Sequence, residues 1–190
     1  METFSRSTVR GTITTKICTS GALLFIVSTE NREAKKTDYP RFVAFSDIDN
    51  LNKTLSVGDR VTVEAYVFTN KKHPEGTLIP VSVRKEKSRL DAVLEKDVYL
   101  PDINEFAIRG ELASDPYTPN RHTTIVTLKV EDNGKLAFVH TVAFGRAAGV
   151  IAEKKKGELV DAIGYIRTIP SKEAKELSHT QSIVITAARG

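Results

Sequence analysis

Two short stretches place aromatic and cationic residues at alternate positions: Tyr39, Arg41, Val43 and Phe45 in one, and Phe138, His140, Val142 and Phe144 in the other. In an extended strand, alternate residues share a face. Each stretch therefore presents two aromatic rings and one cationic or ionisable group on a single side. That combination suits a flexible anionic polymer with flat bases. Rings stack bases at roughly 1–3 kcal/mol per base whatever the sequence, and cations meet the phosphates. The intervening Phe42, Ala44, Val139 and Ala143 are apolar and take the core side. Basic residues gather in neighbouring loops. Arg32, Lys35 and Lys36 precede the first stretch, Lys71, Lys72 and His73 follow it, and Lys172 lies in a longer, charge-balanced loop after the second.

Other chemistries find little support. His73, His122, His140 and His179 are scattered, with no pair at metal-ligand spacing and no partner cysteines, so no metal and no cofactor are expected. Gly145-Arg146-Ala147-Ala148-Gly149 lacks the Gly-Lys-Ser/Thr ending of a phosphate loop, and no Ser/His/Asp order points to a triad. The chain reads as a binding protein, not an enzyme.

The elements that carry the two stretches recur. Val9-Arg10-Gly11-Thr12-Ile13 is echoed by Ile108-Arg109-Gly110-Glu111-Leu112, and Phe42-Val43-Ala44-Phe45 by Val142-Ala143-Phe144 with its flanks. A third echo links Gly58-Asp59-Arg60-Val61 to Gly157-Glu158-Leu159-Val160. All three come in the same order at an offset of roughly a hundred residues, the size of a duplicated small domain. The chain of 190 residues is then two copies, over residues 1–84 and 105–190, joined by a linker over 85–104. Period-two apolar patterning predicts strands at about 8–17, 22–30, 40–46, 60–69 and 77–84, and again at about 105–113, 122–132, 136–144, 158–168 and 180–188. A helix falls between the third and fourth strands of each copy. Asp47 caps the first, which carries Ile48, Leu51 and Leu55, and Ala147, Val150 and Ile151 form the apolar side of the second. Three strands, a helix and two strands, repeated, predict an all-β chain of two tandem five-stranded oligonucleotide-binding (OB) Greek-key barrels.

Charge and composition agree with a soluble binding protein. The net charge is +4, with twelve Lys/Arg against nine Asp/Glu in residues 1–84 and twelve against ten in 105–190. This mild excess permits an anionic partner. No apolar run approaches the ~20 residues of a membrane span, and the first residues lack a secretory hydrophobic region. Cys18 has no partner for a disulfide, which suits a reducing cytoplasm, and is expected as a small buried hydrophobe. Leu90, Val93, Leu94 and Tyr99 suggest that the linker, with its short helix, docks on a neighbouring surface, while Pro101 stops that helix before the second copy.

The second copy resembles the bacterial single-stranded DNA-binding (SSB) family. Phe138-Val139-His140-Thr141-Val142-Ala143-Phe144-Gly145-Arg146 is similar to the family's aromatic-x-[RH]-x-V-x-F-G-[KR] strand. Lys156-Gly157, followed by Gly164-Tyr165-Ile166-Arg167-Thr168, resembles its next strand, and Gly110-Glu111-Leu112-Ala113-Ser114-Asp115-Pro116 its opening. The first copy is more diverged: Ser46 replaces the glycine, and the Asp-Pro is absent. Arg109, Tyr117, Arg121, Arg146 and Arg167 complete the candidate contacts in the second copy. The resemblance implies sequence-independent binding of single-stranded DNA in replication, recombination or DNA transfer. It also implies a homodimer that brings four OB folds together. The chain has no tryptophan, a residue frequent at the family's stacking positions, and ends on Ala187-Ala188-Arg189-Gly190 without the family's acidic tip. Partner recruitment through such a tip is therefore not expected. The competing reading is an OB protein that works mainly in protein assembly, such as a primosome or conjugation accessory.

Overall fold

The computed structural model describes residues 2–31, 35–69, 76–132, 134–170 and 179–189. The chain forms two compact units, one of Thr8–Ala65 with Leu78–Asn104, the other of Met1–Ser7, Tyr66–Thr77 and Glu105–Gly190.

The first unit is built from β1 (Phe4–Cys18), β2 (Leu23–Asn31), β3 (Lys36–Asp38), β4 (Arg41–Ala44), α1 (Ile48–Thr54), β5 (Arg60–Phe68), β6 (Thr77–Lys85) and α2 (Arg89–Leu94), with Phe4–Ser7 of β1, Tyr66–Phe68 of β5 and Thr77 of β6 belonging to the other unit. Pairing runs β1–β2–β4–β6–β5 and back to β1, a closed circuit in which β4 and β6 are parallel. That is the strand order of the OB Greek key. Alternation supplies the core: Val9, Ile13, Leu23, Phe25, Val27, Phe42, Val61, Val63 and Leu78 are buried, and the rings of Phe25 and Phe42 stack with centroids 5.3 Å apart. Gly11 is required here, because a Cβ at that position would lie 1.9 Å from the Ser28 carbonyl oxygen.

The second unit repeats the plan with β7 (Ile103–Leu112), β8 (Tyr117–Asn120), β9 (Thr123–Asp132), β10 (Lys135–Phe144), α3 (Gly145–Ala152), β11 (Leu159–Pro170) and β12 (His179–Arg189). The circuit β7–β9–β10–β12–β11–β7 closes with β10 and β12 parallel. Phe106, Ile108, Leu112, Leu128, Val139, Ile151, Ile166 and Ile185 fill its core. α3 buries Ala147, Ala148 and Ile151, and the Thr124 hydroxyl donates to the Ala148 carbonyl at 3.0 Å. Residues from the start of the chain complete this unit. The Thr3 hydroxyl accepts from the Glu131 N–H at 2.7 Å, Arg6 pairs with Asp132, and the Val67 N–H donates to the Ser5 hydroxyl at 3.0 Å.

Three local expectations are corrected. Cys18 is exposed, not buried. A bulge between Ile13 and Thr15 sets Cys18 opposite the inward Leu23, but β1 ends there at the hairpin turn and the thiol is left exposed. Asp47 precedes α1 but sits in the left-handed region at φ 54° and makes no side-chain cap; its carboxylate instead accepts from the Asn50 amide at 2.9 Å. In the linker, α2 forms with Ser88 as its cap, yet Leu90, Val93 and Leu94 are exposed and Ala92 is the residue buried. The linker's contact comes later: Arg60 lies over the Tyr99 ring at 4.5 Å, donates to the Leu100 carbonyl at 2.7 Å and pairs with Asp102 at 2.6 Å. Among the described residues no helix is long and apolar enough to cross a membrane.

Candidate nucleic-acid interface

β10 alternates from Leu136 to Phe144. Ala137, Val139, Thr141 and Ala143 are buried, while Leu136, Phe138, His140 and Phe144 are exposed and Val142 is half-buried. The register with β9 sets Lys129 opposite Phe138, Thr127 opposite His140, Ile125 opposite Val142 and Thr123 opposite Phe144. β8 adds Tyr117 opposite Ile125. The outcome is one continuous face across β8, β9 and β10. Its rings are Tyr117, Phe138 and Phe144, at 64%, 43% and 41% exposure. Rings of this size, unburied and grouped, offer flat apolar surface for stacking without the desolvation of a pocket.

Polar groups border the rings. His140 Nδ1 lies 2.8 Å from the Thr127 hydroxyl, which fixes the imidazole's orientation on the face. Lys129 meets Glu111 at 3.8 Å, a loose exposed pair that leaves the ammonium available to phosphate. At the Phe144 end the Gly145 N–H donates to the His122 carbonyl at 3.0 Å, joining the start of α3 to the β8–β9 turn. Arg121 and Arg146, both exposed, flank that bond, and Arg121 Nε donates to His122 Nε2 at 2.8 Å. Gly145 holds φ 57°, so the glycine after Phe144 serves a left-handed turn that starts the helix at once.

Two other candidates in this unit lie on β7 and β11, outside β8–β10. Arg109, on β7, is held by Asp161 of β11: Nη2 donates to Oδ2 at 2.9 Å, and Nε lies 2.7 Å from Oδ1. The Arg109 guanidinium keeps the Asp161 carboxyl below the usual carboxylate range, and the carboxylate in turn pushes Arg109 up. A neutralised guanidinium is a weaker phosphate ligand than a free one. Arg167, half-buried on β11 opposite Ser182, lies near the end of that strand. Lys172 lies outside the described residues.

In the first unit, β4 places Arg41 and Val43 opposite Ile26 and Leu24 of β2. Phe45, at 59%, is the most open ring there, and Tyr39 is half-buried. Phe45 stands with Thr19, Ser46, Asp47, Asp49 and Lys53 around one shallow depression, so the surroundings of this ring are acidic as well as basic. Lys36 pairs with buried Asp38 at 3.6 Å, and Lys35 is exposed with φ 48°. Lys71 and Lys72 lie outside the described residues.

Lys129, Ile125 and Leu136 were not among the expected site residues. Their place on the face follows from the β9–β10 register, which links positions far apart in sequence. Among the described residues no group of three His, Cys, Asp or Glu side chains could hold a metal ion.

No protein-family model matches the chain, and no curated protein matches it. Solved structures do. Wild-type single-stranded DNA binding protein from Thermus aquaticus is 16% identical, with a TM-score of 0.67, over 100% of this chain and 93% of that one. A deletion mutant of the same Thermus aquaticus protein is 15% identical, with a TM-score of 0.67, over 99% of this chain and 94% of that one. The resemblance first seen in the β10 and β11 motifs therefore holds as a likeness of fold along the whole chain.

Proposed function

We propose that this protein binds single-stranded DNA without regard to base sequence, chiefly through the β8–β10 face, and protects it during replication, recombination or DNA transfer. The observation that carries the reading is the grouping of exposed Tyr117, Phe138 and Phe144 on one face with Lys129, His140, Arg121 and Arg146 around them. The shared fold with a protein named for single-stranded DNA binding supports it. No catalytic step is part of the proposal, and its setting is the cytoplasm. A titration of labelled oligo(dT) across a salt series tests it. Affinity should fall linearly on a log–log plot, because each phosphate neutralised releases counterions. A folded protein that shifts no oligo(dT) at low salt would contradict the reading.

Tyr39, Arg41, Phe45, Lys35, Lys36, Lys71 and Lys72 are proposed as a second, weaker contact area in the first copy. The assembly reading keeps one supporting observation: Asp47 and Asp49 beside Phe45 make that ring a poorer neighbour for phosphate than Phe144. A homodimer with four OB folds is the proposed assembly, and light scattering at the monomer mass would remove it.

A further inference from the structure

Among the described residues, β10 pairs with β9 from Lys135 to Phe144 but with β12 only at Thr141–Ala143. The first half of β10 thus has an edge that β12 leaves uncovered, and exposed N–H groups on such an edge need partners. In the unit that contains β10, the segment Tyr66–Thr69 supplies one. The Phe138 N–H donates to the Thr69 hydroxyl oxygen at 2.8 Å. Three residues earlier on β10, Lys135 Nζ donates to the Tyr66 hydroxyl at 3.2 Å and lies 5.6 Å from the centre of its ring. An ammonium placed so sits off the hydroxyl end, not over the middle of the ring. The Tyr66 ring is half-buried.

We infer that Tyr66 is a further stacking platform of the nucleic-acid face and that Lys135 beside it meets the phosphate of the stacked nucleotide. The inference rests on the single-strand reading of β10. From Phe144 past His140 to Phe138 the track runs along one face of β10; Lys135 has the opposite parity but is exposed where the strand begins, and the Phe138–Thr69 bond brings the Tyr66 segment alongside that edge. At about 3.3 Å per residue the track from Phe144 to Phe138 is roughly 20 Å long, and Tyr66 lengthens it. Tyr66 belongs to the first copy by sequence and to the second unit in space. The tandem arrangement then has a direct use: one copy lends a ring to the other's site.

The absence of tryptophan makes a clean test available. Tyr66→Trp and Phe138→Trp each install a single indole, whose emission is quenched when a base stacks on it. Titration of each full-length variant with oligo(dT) should quench both, with saturation at the same oligonucleotide ratio. Quenching at Phe138→Trp with unchanged emission at Tyr66→Trp would overturn the inference and leave the single-strand reading in place. Unchanged emission in both, in folded protein, would overturn the two together. Affinity gives an independent readout. Tyr66→Leu keeps apolar bulk but loses the π-face and should bind oligo(dT) about fivefold or more weakly, the low end of one stacked base. Tyr66→Phe should bind as the wild type does. Equal affinity for Tyr66→Leu and wild type would also overturn the inference, and Lys135→Gln should lower the salt slope by about one.

Discussion

In each copy a phenylalanine stands where the aromatic strand meets its helix, Phe45 just after β4 and Phe144 at the end of β10, and the residues that follow differ in sign. After Phe45 come Ser46, Asp47, Ile48 and Asp49; after Phe144 come Gly145, Arg146, Ala147 and Ala148. The helices differ as well. α3 starts directly at the left-handed Gly145 and buries three side chains, whereas α1 starts after a left-handed, non-glycine Asp47 and buries none. β10 carries ten residues of paired strand and β4 only four. One fold thus hosts two surfaces. In the second copy length, openness and charge favour a stacked anionic strand. In the first, a short strand and two aspartates oppose it. Circuit closure and core depend on alternation, which both copies share, while the site depends on the residues left outside, which have diverged.

The largest effect that separates the copies is expected from removing ring pairs. Phe138→Ala with Phe144→Ala should weaken oligo(dT) binding by about 2–6 kcal/mol, at about 1–3 per stacked base, with the melting transition retained. Tyr39→Ala with Phe45→Ala should cost under about 1 kcal/mol, since Tyr39 is half-buried and Phe45 stands among aspartates. Equal losses in fluorescence-anisotropy titrations would erase the asymmetry. A second comparison concerns the equivalent glycines. A Cβ at Gly11 would lie 1.9 Å from a backbone oxygen, whereas the nearest atom at Gly110 is the Leu128 side-chain Cβ at 2.9 Å. Gly11→Ala should cost about 1–3 kcal/mol in denaturant unfolding, with Gly110→Ala at or below the lower end.

Charge neutralisation should act more weakly. Asp47→Asn with Asp49→Asn should strengthen oligo(dT) binding severalfold at low salt, the gain shrinking as the screening length falls to about 8 Å near physiological salt. No gain at low salt would mean that the bound strand does not pass the Phe45 end. The smallest effect is a titration. Because Arg109 depresses the Asp161 carboxyl, the pair contributes stability above the ordinary carboxylate value, near about 4. That contribution is lost as pH falls through the lower native value. NMR should find the Asp161 midpoint below the ordinary value, and Arg109→Gln should raise it toward that value, with Arg189 still holding it down in part.

Much of this architecture was legible from local pattern. The alternation in 136–144 reported both the strand and its outer face, because period two needs no knowledge of the partner strand. The helix after Phe144 was legible from its apolar spacing. Other features depend on contacts distant in sequence. Lys129 joins Phe138 only through the β9–β10 register, and Tyr66 meets Lys135 only once two segments 69 residues apart pack in one unit. β8 is exposed at all four positions, so it carries no alternation to read. Cys18 was expected inside from its residue type alone, which does not report that β1 ends there at a hairpin turn. The linker's apolar residues suggested docking, but Arg60 supplies the contact through Tyr99, Leu100 and Asp102, and no hydrophobic pattern announces such a polar clasp.

The central claim is that a single strand lies on β8–β10 of the second copy. Amide chemical-shift mapping of the full chain, titrated with oligo(dT), addresses it residue by residue. The account predicts the largest shifts at Tyr117, Ile125, Lys129, Phe138, His140 and Phe144, with smaller ones at Arg41 and Phe45. Shifts confined to residues 39–55, or none on β10 at saturating oligonucleotide, would contradict it.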